Sequence, residues 1–342
     1  MARIQTALTT LLDIHSPVVV PPMTFASGGK LAGEVTKAGG FGFAAPGFQD
    51  PATFARELDV VRNILSLGPD IPLPIGVGAI CWLLDAKPEL VATLDAALEH
   101  RVKSIWLSFG NDLGKWVAHV RQFDQNRKVP HKTLVWVLVN SVAEAERAAN
   151  EWKADIIIVQ GIEAGGHGHG QALPLLTLFP LVKSALPNGP PLVAAGGLSN
   201  GAHIAALLTL GADGCVIGTR YLATPESTYT DNQKAAVLGA DLTVRSVLFD
   251  ELSGLLAWPK GVDGRAIANK LLEDEAKGIP LEERKKLYME AVKNNDTSRT
   301  AVWAGVSVAL VNEITAAGTL TRTIHQEIIT HIKQASALIK AV

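Results

Sequence analysis

Val193-Ala194-Ala195-Gly196-Gly197-Leu198-Ser199 and Cys215-Val216-Ile217-Gly218-Thr219-Arg220 decide the fold reading. Each is an apolar run of strand length that breaks into glycine and a hydroxyl residue beside a helix-patterned stretch. In a closed α/β barrel, the loops after the seventh and eighth strands commonly form a phosphate site. Glycine there admits backbone N–H groups to the anion, and a helix N-terminus adds a favourable dipole. The pair, with Ser199 as the N-cap of the helix that follows, predicts those two strands and a phosphorylated ligand at the barrel mouth. A single Gly-Gly would read as a turn; the repeated placement carries the argument.

Outward from this pair, further apolar runs cover 18–23, 39–44, 73–77, 103–109, 133–139 and 155–160, which with 191–195 and 213–217 give eight strands. Helix-patterned segments at 28–38, 51–67, 87–99, 142–152 and 202–210 supply crossovers between parallel neighbours. The expected fold class is α/β, a (β/α)8 TIM barrel with a smaller, mainly helical second domain. The barrel is expected over residues 1–225. A smaller substrate-covering region follows at 226–318, with 241–250 as one extended piece and Leu281–Lys293 as a charged helix. A terminal helix in 319–342 places Ile324, Ile328, Ile332, Ala335 and Ile339 at helical spacing, which predicts that it packs back on the barrel.

A chain of 342 residues suits a barrel of about 250 residues with an appended region. Hydrophobic residues make up 48% and charged residues 19%, enough apolar content for a large core. With 31 Lys+Arg against 33 Asp+Glu the net charge is −2, which argues against nucleic acid or an anionic membrane as partner and favours a small ligand. Cys81 and Cys215 alone make neither a disulfide framework nor a zinc site. Thr6, Thr9, Thr10, Asp13 and His15 interrupt any signal-peptide core, and the apolar run 301–311 is too short to span a bilayer. The expectation is a cytoplasmic protein, with a mitochondrial or peroxisomal address left open; oligomeric state is not legible.

The most unusual stretch is Ile156-Ile157-Ile158-Val159-Gln160-Gly161-Ile162-Glu163-Ala164-Gly165-Gly166-His167-Gly168-His169-Gly170. A buried strand runs into a loop dense in glycine, which gives no packing and whose use is close approach of the backbone to a flat ligand. Histidine in such a loop can act as acid or base near neutral pH. A metal is not expected, because the His-x-His pair finds no further ligand at the other strand ends beyond the isolated Glu163. His15, His100, His119, His131, His203, His325 and His331 are read as structural. Between His167 and His169, spacing alone does not choose.

Gln160 to His167, followed by Ala195-Gly196-Gly197 and Gly218-Thr219, resembles the nitronate monooxygenases, formerly called 2-nitropropane dioxygenases. Pro21-Pro22-Met23 and Gly39-Gly40-Phe41-Gly42-Phe43 match that family's first two strands, and the resemblance covers about the first 225 residues. It implies a TIM-barrel flavoprotein with non-covalent FMN, acting on a nitronate or nitroalkane with O2, and His167 as catalytic base. It further implies that Pro22, Met23 and Thr24 line the flavin ring, that Gln160 and Gly166 lie beside it, and that Ala195, Gly196, Gly197, Gly218 and Thr219 hold the phosphate. The base would take an α-proton from a nitroalkane or the site would capture the preformed nitronate; the flavin and O2 would then yield a carbonyl compound and nitrite.

Two positions depart from the family pattern. Gly76-Val77-Gly78 stands where an Asn often contacts the flavin, and Trp303-Ala304-Gly305-Val306 where a Gln is common. Flavin-dependent enoyl-acyl-carrier-protein reductases are similar almost as closely, so an NAD(P)H-fed FMN reductase is one alternative, although no dinucleotide fingerprint is visible. A non-catalytic FMN-binding barrel is the other. Folding alone demands no histidine at 167, which speaks for an enzyme.

Overall fold

The computed structural model describes residues 1–339. Its strands are β1 (Val18–Val20), β2 (Phe41–Ala44), β3 (Leu73–Ile80), β4 (Val102–Ser108), β5 (Leu134–Val139), β6 (Ile156–Gln160), β7 (Gly166–His169), β8 (Leu192–Ala195), β9 (Gly214–Val216), β10 (Thr243–Ser246) and β11 (Val262–Ile267). Strands β1 to β6, β8 and β9 form a closed parallel barrel, sealed where β1 pairs with β9 through Val18 opposite Cys215 and Val19 opposite Val216. These are the eight strands anticipated from the sequence.

Period-two alternation sorts the barrel side chains into two cores. Phe41 and Phe43, Leu134, Trp136 and Leu138, Ile156 and Ile158, and Val193 and Ala195 point inward into one cluster. Their neighbours Val135, Val137, Ile157, Val159, Leu192 and Ala194 face the surrounding helices. The lumen is filled by aromatic rings: Trp136 stacks on Phe41 at 5.8 Å and on Trp106 at 6.3 Å, while Phe43 meets both tryptophans edge-on. Strand β3 makes room for them, since a Cβ at Gly76 would stand 2.1 Å from the Phe43 ring.

The crossover helices begin where the sequence offers caps. Asp50 accepts from the Thr53 amide ahead of helix Pro51–Ile64, and Ser141 from Glu144 ahead of Val142–Asn150. After β8, however, the cap is Asn200, whose side chain accepts from His203 N at 3.1 Å. Ser199 was expected there; it is instead buried, with its amide donating to His203 Nδ1. Helix Ala317–Ser336 buries Leu320, Ile324 and Ile328 and packs on helices Gly201–Thr209 and Gly29–Lys37. It starts earlier than the spacing suggested and ends before Ile339, which is exposed; Lys340 and Ala341, also anticipated in this helix, lie outside the described residues.

After the last barrel strand come helices Asp231–Leu238, Leu248–Ser253, Lys270–Ala276 and Leu281–Lys293, with an antiparallel sheet in the order β10-β11-β7. Two local expectations change here. The glycine stretch 161–170 is not wholly loop, because Gly166–His169 pairs with β11 from Val262 to Arg265. Residues 241–250 are not one extended piece: Ser246 Oγ accepts from Leu248 N at 3.1 Å and turns the chain into a helix, on which Asp250 and Glu251 occupy the acid-favouring first turn.

Candidate active site

A cavity of about 260 Å³ opens at the C-terminal ends of the barrel strands, where enzymes of this architecture carry their chemistry. Into one wall it gathers Pro22, Met23 and Thr24 after β1, Ala195, Gly196 and Gly197 at the end of β8, and Gly218 and Thr219 after β9. Gln160, which pairs with Ala195 across the neighbouring strands, lines it too, together with Gly166, His167, Trp258 and Trp303. Every candidate site residue named from the sequence lines this one space. His169 does not: its Nδ1 accepts from Gln171 N at 3.2 Å and its ring packs beside Gly261.

The imidazole of His167 is fixed on three sides. Its Nε2 lies 2.9 Å from Asp250 Oδ1, both side chains being largely buried at 12% and 6% exposure. Trp258 stacks on one face with centroids 3.6 Å apart, and Trp303 tilts across it at 4.8 Å. Trp303 gains its position from Gly264, opposite His167 in the sheet, where a Cβ would stand 2.3 Å from the indole.

The strand that carries His167 is pinned from below and behind. Asn140 Nδ2 donates to the backbone and side-chain oxygens of Gln160 at 2.9 and 3.0 Å, and Gln160 Nε2 donates to the His167 carbonyl at 3.3 Å. Arg245 donates to Asp263 Oδ1 at 2.8 Å, to the Ala164 carbonyl at 2.9 Å and to the Gly168 carbonyl at 3.2 Å. Arg265 reaches the Ile162 carbonyl at 3.2 Å, and burial beside Arg245 lowers its affinity for the proton. Glu163 turns away to accept from Leu175 N at the start of helix Leu175–Ala185, so it caps a helix. Among the described residues, no group of three or more His, Cys, Asp or Glu could hold a metal ion.

These residues fit a flat, phosphorylated group. Gly166 has φ +65° and no atom within 4 Å of where a Cβ would stand, so its backbone presents bare peptide to open space. Thr219 Oγ1 accepts from Gly305 N at 2.9 Å, leaving its own O–H to donate. Glycine at 196 and 197 has a reason besides positive φ, since side chains there would press on Gly161 and Ala164 in one case and Glu163 and Val306 in the other. At Gly78 the space a side chain would use is taken by Pro22, whose Cγ would lie 2.1 Å from a Cβ.

Asp250, Arg245 and Asn140 were not singled out from the sequence as site residues. Asp250 is 83 residues from His167 along the chain, and the turn that brings it in is made by Ser246. No local spacing signals such a contact.

The closed parallel barrel, with its cavity at the strand ends, defines an enzyme of the (β/α)8 class. The family model described as nitronate monooxygenase matches residues 90–327. The nitronate monooxygenase of Metarhizium robertsii is 35% identical over 331 residues, covering 90% of this chain and 89% of that protein. The structure of a nitroalkane oxidase from Streptomyces ansochromogenes superposes with a TM-score of 0.77 at 26% identity, over 98% of this chain and 100% of that one. FabK from Thermotoga maritima gives the same TM-score of 0.77 at 23% identity, over 98% of this chain and 100% of that one, and bears on the fold alone. The chain belongs to the nitronate monooxygenase family, and with it to the flavin-dependent oxidoreductases. No helix among the described residues is long and apolar enough to cross a membrane.

Proposed function

We propose that this protein binds FMN non-covalently and oxidises alkyl nitronates, and the nitroalkanes that give rise to them, with O2 to a carbonyl compound and nitrite. The observation that carries the reading is a largely buried histidine, paired with Asp250, in the lining of a cavity that Gly166, Gly196, Gly197 and Gly218 also line. In this reading residues 1–225 form the FMN-binding barrel. Residues 226–318 cover its mouth and contribute Trp258 and Trp303, and the helix within 319–342 packs on the outside.

Pro22, Met23 and Thr24 would bound the flavin ring, and the exposed peptide of Gly166 would allow it to approach. Backbone amides of Ala195, Gly196, Gly197 and Gly218, with the Thr219 hydroxyl, would take the phosphate. His167 accepts the α-proton of a neutral nitroalkane; a preformed nitronate needs no such step. The aromatic walls keep bulk water from the anion. Bound FMN supplies the redox chemistry, with O2 as co-substrate.

Anaerobic mixing decides the reading. A nitronate should bleach the flavin absorbance, and air should restore it with release of nitrite. Rapid bleaching by NADPH with none by the nitronate would overturn the proposal in favour of a reductase. Bleaching by neither would favour a non-catalytic barrel.

A further inference from the structure

From the contact across 83 residues of chain, we infer that Asp250 is the positioning residue that makes His167 a base through Nδ1. The inference rests on the reading above and specifies which nitrogen receives the proton. A carboxylate accepts and cannot donate, so the 2.9 Å contact requires the hydrogen to reside on Nε2. In a neutral imidazole, that leaves the Nδ1 lone pair free. Trp258 covers one ring face, stacked at 3.6 Å, and Trp303 crowds the ring at a tilt, 4.8 Å away, which leaves the Nδ1 edge as the approach for a substrate. Among the described residues, Nδ1 has no hydrogen-bond partner.

Asp250 is itself tied to this role. It is buried, and burial of a carboxylate is costly unless an N–H meets it; His167 supplies that donor. It reaches the site from the first turn of helix Leu248–Ser253, outside the barrel, while His167 comes from β7. The base is therefore assembled only when the segment after the barrel is docked against the glycine strand. In the step itself, the substrate α C–H bond breaks, an N–H bond forms at Nδ1, and the electron pair moves into the C=N bond as charge settles on the nitro oxygens. The resulting imidazolium keeps its Nε2–H on the Asp250 carboxylate.

The test combines spectroscopy with kinetics. In the flavin-loaded wild-type protein, 15N spectra of the His167 ring at a pH where it is neutral should show protonated Nε2 and bare Nδ1. The opposite tautomer would overturn the inference whether or not nitronates prove to be substrates. Asp250→Asn should lower kcat on a neutral nitroalkane by about tenfold or more, a part of the 10²–10⁴-fold that a positioned base contributes in full. KM should change little, and turnover of the preformed nitronate should be largely retained. Asp250→Glu should recover part of the loss. Equal losses on both substrate forms, with flavin still bound, would assign Asp250 to the fold alone and refute the inference. Should Asp250→Asn fail to retain flavin, the wild-type tautomer still decides. Loss of all nitronate turnover in the wild type, with the tautomer as stated, would count against the proposed function and leave the pairing intact.

Discussion

The indole of Trp258 lies flat on the imidazole of His167, centroids 3.6 Å apart and planes within 12°. Trp258 is wedged in turn by Trp82 and Phe109, edge-on at 5.3 and 5.4 Å. It joins the histidine to the opposite rim of the cavity, and a stacked aromatic pair adds about 0.5–1.5 kcal/mol beyond its buried area. Trp258→Ala should raise KM for a nitroalkane by roughly tenfold, the equivalent of about 1.4 kcal/mol, while Trp258→Phe stays near wild type. Steady-state kinetics on both variants check this. An unchanged KM in Trp258→Ala would mean that the indole packs without bounding the substrate.

Flavin content separates two glycines that look alike in sequence. Gly166 faces open space, so Gly166→Val should send a side chain into the flavin volume while adding about 1–3 kcal/mol of backbone strain at its positive φ. At Gly197 a Cβ would meet Glu163 at 2.9 Å and Val306 at 3.1 Å, so Gly197→Val should disturb the fold as well as the cofactor. Absorbance near the flavin band per protein, set beside the melting temperature, tells the two apart. The wild type should be yellow and release FMN, without covalent attachment, on denaturation. Full flavin content in Gly166→Val would place the ring elsewhere in the cavity.

The barrel was legible because its signal is local. Each strand is a short apolar run, and each glycine break marks a strand end that the fold turns toward the same mouth. The lining of the cavity was legible as far as its backbone: Gly196, Gly197, Gly218 and the stretch before His167 advertise themselves by composition. What escaped was everything set by a distant partner. Asp250 read as the end of an extended piece because hydrophobic alternation cannot see the Ser246 turn. The strand at Gly166–His169 was hidden because glycine and histidine have little β-propensity, and pairing with β11 overrides that. Nor could the sequence show that Pro22 takes up the space beside Gly78.

Acid stability should report a pair remote from the cavity. Arg299 donates to the buried Asp274 carboxylate at 2.7 Å and holds its pKa below the ordinary value. A lowered carboxylate pKa gives stability that is fully present above the unfolded value and is lost as pH falls through the folded one. Arg299→Met should therefore cost about 1.5–3 kcal/mol at pH 7, the scale of a hydrogen bond to a charged group. The gap between variant and wild type should narrow as the medium is taken below the ordinary carboxylate range. Urea unfolding of both proteins at several pH values measures it, and a gap that stays constant with pH would dissociate the Asp274 shift from stability.

The two histidines of the glycine strand offer the sharpest comparison. His167 lines the cavity with its Nε2 on Asp250, whereas His169 lies outside it, with Nδ1 engaged by the Gln171 amide. A neutral nitroalkane must surrender a carbon-bound proton before oxidation, and a preformed nitronate has already done so. His167→Asn cannot accept that proton usefully, so turnover of the neutral compound should fall by about 10²–10⁴-fold. Turnover of the anion should survive in part, because the oxidation itself needs no base. His169→Asn should have the smaller effect on both, through a local change in the Gln171 turn. Measuring both variants with both substrate forms yields a two-by-two pattern in which only His167 with the nitroalkane collapses. Equal losses for His167→Asn on both forms would assign that residue to binding, and a larger proton-abstraction defect in His169→Asn would transfer the base to the outer histidine.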